Sequence, residues 1–183
     1  MIRFVRFASL IAVLAARPLF SQQDRQFTSQ RCYASFSYPG EWEVIADTTD
    51  RGEPCNFKLR PRNWRQRLAA NDSMDVFTVH ISIFNRDVWA LARGSGFERR
   101  SSGWVVLGRE AFATRADSVT TPHWSGVRGT AQAGCYREGG AYAGLCDNPT
   151  AVVGAGRRSA RIVAGPRAEG EFNRVLATLR FGS

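Results

Sequence analysis

The sequence predicts an α+β fold: an antiparallel sheet with helices packed on it, stapled by disulfides. Three observations lead there. Short runs of period two dominate the chain. The clearest, Val76–Phe84, puts Phe77, Val79, Ile81 and Ile83 on one face and Thr78, His80 and Ser82 on the other. Near the end, Phe172, Val175, Leu176 and Leu179 recur at i, i+3, i+4 and i+7, the spacing of an amphipathic helix. Four cysteines, Cys32, Cys55, Cys135 and Cys146, suit two disulfides in an exported protein. Strands dominate, with short helices early and mid-chain and a longer one last, which argues for an antiparallel sheet.

Taken in order, the chain begins with Arg3 and Arg6, then a ten-residue apolar run, Phe7–Ala16, too short to span a bilayer. Pro18 breaks the run and Ser21 offers a small residue for cleavage. Residues 1–21 therefore read as a secretory signal peptide, with an uncleaved anchor as the alternative. Residues 22–31 are polar and glutamine-rich and read as a flexible leader. Residues 32–183 read as one α+β domain of ample length for a core.

Within it, Cys32–Phe36 and Glu41–Ala46 are expected as strands around the turn Tyr38-Pro39-Gly40, followed by a loop over Asp47–Pro54. Cys55–Arg60 is a third strand, ended by Pro61. Asn63 is expected to cap a short helix reaching Ala70. Asn71-Asp72-Ser73 is a turn that matches a glycosylation acceptor by accident. After Val76–Phe84, Asn85 or Asp87 caps a helix with Val88, Leu91 and Ala92 inward, stopped by Gly94-Ser95-Gly96. Trp104–Leu107 and Glu110–Thr114 form a strand pair or one strand bent at Gly108. Asp117–Pro122 is expected as a loop.

Trp124–Cys146 then reads as a β-hairpin about a Gly139-Gly140 turn. Its geometry favours Cys135–Cys146, leaving Cys32–Cys55 by elimination. Spacings of 22 and 10 residues, with no C-x2-C knuckle, argue against zinc. Asn148-Pro149 is expected to turn the chain into a strand over Thr150–Gly154. Ser159–Ala164 is the next strand, and Glu169–Arg180 the closing helix, acidic at its start and basic toward its end.

Two pieces resemble a known group. Phe36-Ser37-Tyr38-Pro39-Gly40-Glu41-Trp42 resembles the strand–turn–strand opening of the PsbP/Mog1-like superfamily of small exported proteins. Thr178-Leu179-Arg180-Phe181, at the end of the helix from Phe172, resembles its closing segment. The resemblance implies an α/β/α sandwich around an antiparallel sheet and an accessory or binding role. It carries over no catalytic residue.

The net charge of the whole chain is +9, and removing the signal's three arginines leaves +6. Of the 25 basic residues only Lys58 is not arginine. An anionic partner is one explanation; the codon usage of a GC-rich genome is the blander one. The arginines are scattered, with small clusters at Arg60–Arg67, Arg99–Arg100 and Arg157–Arg161. No polybasic run is interleaved with stacking aromatics, which argues against nucleic acid.

The two histidines, His80 and His123, sit in no paired ligand motif, and no metal or other cofactor is expected. No G-x-S-x-G or S-x-x-K occurs. Glu110 and Asp117 are single acids without a partner at useful spacing. Gly154-Ala155-Gly156 precedes a strand rather than a helix, so it reads as a hairpin and not a phosphate cradle. The suggestive surface is Trp124, Arg128, Tyr136, Arg137 and Tyr142, because aromatic and arginine side chains dominate recognition patches; ordinary core and cross-strand packing is the alternative.

The sequence-level expectation is a secreted protein, periplasmic or extracellular, with no transmembrane segment in the mature chain. It acts as a non-enzymatic binding or accessory domain for an unknown protein or envelope ligand. A secreted enzyme with an unrecognised site, or a binder of an anionic polymer, is the alternative. Exported protein should begin near Gln22 on N-terminal sequencing; finding Arg3 retained overturns the signal-peptide assignment.

Overall fold

Pro149-Thr150-Ala151-Val152-Val153-Gly154 is an unbroken run of buried residues. A strand buried on both faces belongs inside a sheet with a layer on each side. A computed structural model of the chain describes residues 23–47, 55–68, 77–108, 113–136 and 141–182. There the run forms the second half of β10 (Tyr142–Ala155), the middle strand of a nine-stranded sheet. On one side lie β11 (Arg158–Ala164), β5 (Val79–Phe84), β4 (Cys55–Pro61) and β3 (Trp42–Asp47). On the other lie β9 (Ser125–Tyr136), β8 (Ala113–Thr120), β7 (Gly103–Leu107) and β6 (Phe97–Arg100). A smaller sheet is formed by β1 (Arg25–Ser29), β2 (Ala34–Tyr38) and β12 (Arg180–Phe181). All the strand pairs are antiparallel. The helices among the described residues are α1 (Trp64–Leu68), α2 (Val88–Gly94) and α3 (Glu169–Thr178).

Alternation along β10 sorts its side chains into two clusters. Ala151 and Val153 join Phe36 of β2, Ile81 and Ile162 of the sheet, and Phe172, Val175 and Leu176 of α3. Val152, between them, joins Val88, Leu91 and Ala92 of α2 with Phe97, Trp104 and Val106. Polar contacts fix α3 in place. The Trp124 Nε1–H donates to the Leu176 carbonyl at 3.1 Å, and the Ser37 N–H donates to Thr178 Oγ1 at 2.9 Å. On α2, Asp87 Oδ1 accepts from the N–H groups of Trp89 and Ala90 at 3.0 and 2.9 Å, so Asp87, not Asn85, is the cap. Gly96, at φ +86°, turns the chain out of this helix into β6.

Both expected disulfides are present, Cys32–Cys55 and Cys135–Cys146, with Cα–Cα distances of 5.9 and 5.6 Å. The architecture is more sheet-rich than expected: one face of the large sheet is covered by β1, β2 and β12 as well as by α3. Residues 22–31 do not behave as a loose leader throughout. Arg25–Ser29 pairs with β2 as β1, because Phe27 packs its ring against Phe36 and Phe57, with centroids 5.0 and 4.8 Å apart. The expected loop Asp117–Pro122 is strand as far as Thr120, its edge groups paired with β9 from Ala116↔Gly129 to Thr120↔Ser125. Asn148-Pro149 does not turn the chain. Pro149 lies one residue past the last β10–β11 pair, Thr150↔Val163, where a missing N–H costs no bond to β11. The closing helix stops at Thr178, and Arg180–Phe181 pairs with β2 instead. Strand β6 had no counterpart in the sequence reading. The signal segment, the Asn71–Ser73 turn, Glu110 and the Gly139-Gly140 turn lie outside the described residues.

Gly126 shows how tightly β9 and β10 approach. A β-carbon there would lie 2.7 Å from the Val153 Cα and would strike the Val152 carbonyl, both backbone atoms. At Gly170 in α3 a β-carbon would meet nothing within 4 Å. Gly126→Ala should therefore lower unfolding free energy by about 1–3 kcal/mol in denaturant titrations. Gly170→Ala should raise it by about 0.5–1 kcal/mol. Equal effects at the two positions would contradict this packing.

Candidate functional site

The sequence singled out five side chains between Trp124 and Tyr142, and the structure does not bring them to one surface. Trp124 is a core residue, 7% exposed, held by its bond to Leu176. Its indole is amphipathic, and the α3 carbonyl supplies the one polar partner it needs. Arg128 lies against α3, with Nη2 donating to Asn173 Oδ1 at 3.2 Å and its guanidinium 5.9 Å from the Phe172 ring centre. Tyr136 and Tyr142 face each other across β9 and β10 with ring centroids 5.8 Å apart, and both are exposed. They lie at the far end of β9 from Trp124. Arg137 lies outside the described residues. The Cys135–Cys146 staple sits beside the tyrosine pair, where Gly144, at φ +113°, accompanies a shift in the ladder.

The arginine clusters are largely engaged. Arg60 bonds Glu43 at 2.7 Å and stacks 4.5 Å over the Trp64 ring, which Arg65 also approaches. Arg158 stacks 3.9 Å over Tyr33. His80 is exposed on β5, its Nε2 3.3 Å from Thr78 Oγ1. The exposed His123 is placed by its backbone N–H, which donates to Thr121 Oγ1 at 3.2 Å. Among the described residues no three His, Cys, Asp or Glu side chains gather as a metal site. Nor is any helix there long and apolar enough to cross a membrane.

A different pair of tryptophans borders a groove and makes the better candidate site. Trp89 of α2 stacks on Trp104 of β7, with centroids 5.6 Å apart and planes 19° from parallel. Beside them runs an open groove of about 590 Å³. Arg93 stands one helical turn beyond Trp89, at the i+4 spacing that places both on one face. Arg99 of β6 lies directly opposite Trp104 in the β6–β7 register, which puts that pair on one face of the sheet. Each tryptophan thus has an arginine beside it. Arg115 and Asp117, 3.7 Å apart and both highly exposed, line the same groove from β8. Ser102 and Ser118 add hydroxyls to its wall.

The platform is well supported. Trp104 is 9% exposed and packed on Phe97, Val106 and Ala116 of the second cluster. Arg93 and Arg99 are exposed, and neither pairs with a carboxylate among the described residues. The one sequence signal for the site is Trp89-x3-Arg93. Nothing local announces that Trp104 will stack on it.

The fold defines the broad class: a disulfide-stapled, antiparallel α+β protein with a PsbP-like fold. Solved structures that share the fold include these two. One is the solution structure of cyanobacterial PsbP from Synechocystis, at 8% identity and a TM-score of 0.50, covering 92% of this chain and 98% of that one. The other is a crystal structure from Bacteroides thetaiotaomicron, at 16% identity and a TM-score of 0.50, covering 88% of this chain. The chain spans about half of that protein, 49% of its length. No family model matches the sequence, and no curated protein does either.

The separation of Trp124 from the exposed pair is measurable. Trp124→Ala should cost about 3–5 kcal/mol of stability by thermal or denaturant unfolding. Tyr136→Ala should cost less than about 1.5 kcal/mol, the scale of one aromatic pair. A small loss at Trp124 would return it to the surface.

Proposed function

We propose that this protein is a secreted, non-enzymatic binding domain whose ligand lies in the tryptophan–arginine groove. The observation that carries the proposal is the stacked Trp89–Trp104 pair with Arg93 and Arg99 beside it. Aromatic platforms bordered by arginine concentrate binding energy, because they offer large rigid apolar area and strong directed donors together. Export to the periplasm or the exterior is supported by the two disulfides and by the basic and apolar start of the chain. In this reading α2 and α3 serve as outer layers of an α/β/α sandwich, and the groove opens where α2 leaves the sheet edge uncovered. The partner is an envelope component.

The test is a titration of the protein's tryptophan emission with envelope extract of its host. Wild-type protein should respond saturably. Trp89→Ala should weaken the response by about 2 kcal/mol, roughly 30-fold. A response equal in wild type and variant would place the ligand elsewhere.

A further inference from the structure

We infer that the groove takes a carboxylated sugar, an oligosaccharide bearing uronic acid units. The inference rests on the groove being the binding site and names the class of its ligand. Three features of the lining select that class. The first is the platform. Trp104 is almost wholly buried and Trp89, stacked on it, is half-buried, so the aromatic surface open to the groove is that of Trp89, backed by Trp104. The C–H face of a pyranose ring lies flat on such a surface. The second is the pair Arg93 and Arg99, exposed and without a carboxylate partner among the described residues. A guanidinium fork binds a planar carboxylate through two parallel hydrogen bonds. The third is hydroxyl lining: Ser118 lies opposite Val127 of the second cluster, on the same sheet face as Trp104, and shares the groove with Ser102. Such hydroxyls exchange hydrogen bonds with sugar hydroxyls. Two arginines with hydroxyls around them suit a sparsely anionic, hydroxyl-rich ligand. The volume of about 590 Å³ falls within the range of small-ligand pockets.

Calorimetric titration with a matched pair of probes tests this. Tetragalacturonate carries the carboxylates; its full methyl ester keeps the ring shape and removes the charge. Tetragalacturonate should bind at least about tenfold more tightly than the ester, in keeping with charge-assisted hydrogen bonds. That margin should shrink as salt is raised. Trp89→Ala should weaken both probes. Arg99→Ala, at an exposed position that leaves the core intact, should bring tetragalacturonate down to the level of the ester. Equal binding of the two probes overturns the acidic-sugar assignment. So does tighter binding of a thymidine tetranucleotide than of tetragalacturonate. If neither sugar binds while the envelope extract still responds through Trp89, the ligand class falls and the groove stands. If the extract response is also independent of Trp89, both fall.

Discussion

The burial of β10 on both faces is the constraint from which the rest of the structure follows. Ala151 and Val153 need an apolar layer on one side of the sheet, and Val152 needs one on the other. Two layers are therefore required, and the chain supplies them differently. The α2 side is local, built from the helix and the strands β6 and β7 that follow it. The α3 side is assembled from the two ends of the described chain. Strand β2 receives β1 from before it and β12 from the end, and Asp24 bonds Arg174 of α3 at 2.5 Å. Sequence-distant ends closing over one cluster make a topology of non-local contacts.

The two disulfides lie in different settings, one within the core between the sheets and one beyond it. Cys32 precedes β2 in the small sheet and Cys55 opens β4 in the large one, so their bond joins the sheets beside the Phe27–Phe36–Phe57 contacts. The other bond lies where the core runs out. From Tyr142 to Asn148 β10 is exposed or half-exposed, because it and β9 extend past both layers as a two-stranded ribbon. Such a ribbon is marginal alone in water. Closing it with Cys135–Cys146 contributes on the order of 3 kcal/mol by restricting the unfolded chain.

Much of this was legible in the sequence and the exceptions share a cause. Period-two runs located β5 and β11, capping chemistry located α2, and hairpin geometry paired the cysteines. The missed strands lack a readable pattern of their own. β1 is polar apart from Phe27, and β8 from Ala113 to Thr120 has Ala116 as its one fully buried residue. They are strands because neighbouring edges demand partners. Pro149 misled for a similar reason: its tolerance depends on where β11 ends, which is not encoded nearby. Trp124, between His123 and Ser125, leaves core packing and a recognition surface both open in the sequence, and the structure buries it at 7% exposure. The nearby helix α3 buries it. Trp89 and Trp104 are not legible as a pair because the rest of α2, two turns and strand β6 lie between them, and only tertiary packing stacks their rings.

That packing also decides what the groove can do. Trp104 is fixed by the second cluster, and Trp89 rides on a helix whose first turn is tied down by Asp87. A platform already held in place loses little conformational freedom when a ligand settles on it, so more of the contact energy appears as affinity. Under the proposed role the same arrangement ties recognition to stability, since Trp89 packs against the cluster that Val152 also enters. The arginines are different. Arg93 and Arg99 stand outside that cluster, on a helix and an edge strand whose backbones are fixed by other residues. Replacing either arginine leaves the cluster beneath intact, whereas replacing Trp104 opens it. Under the proposed binding role, selectivity belongs to the arginine rim and the capacity to bind belongs to the tryptophan pair and the core beneath it.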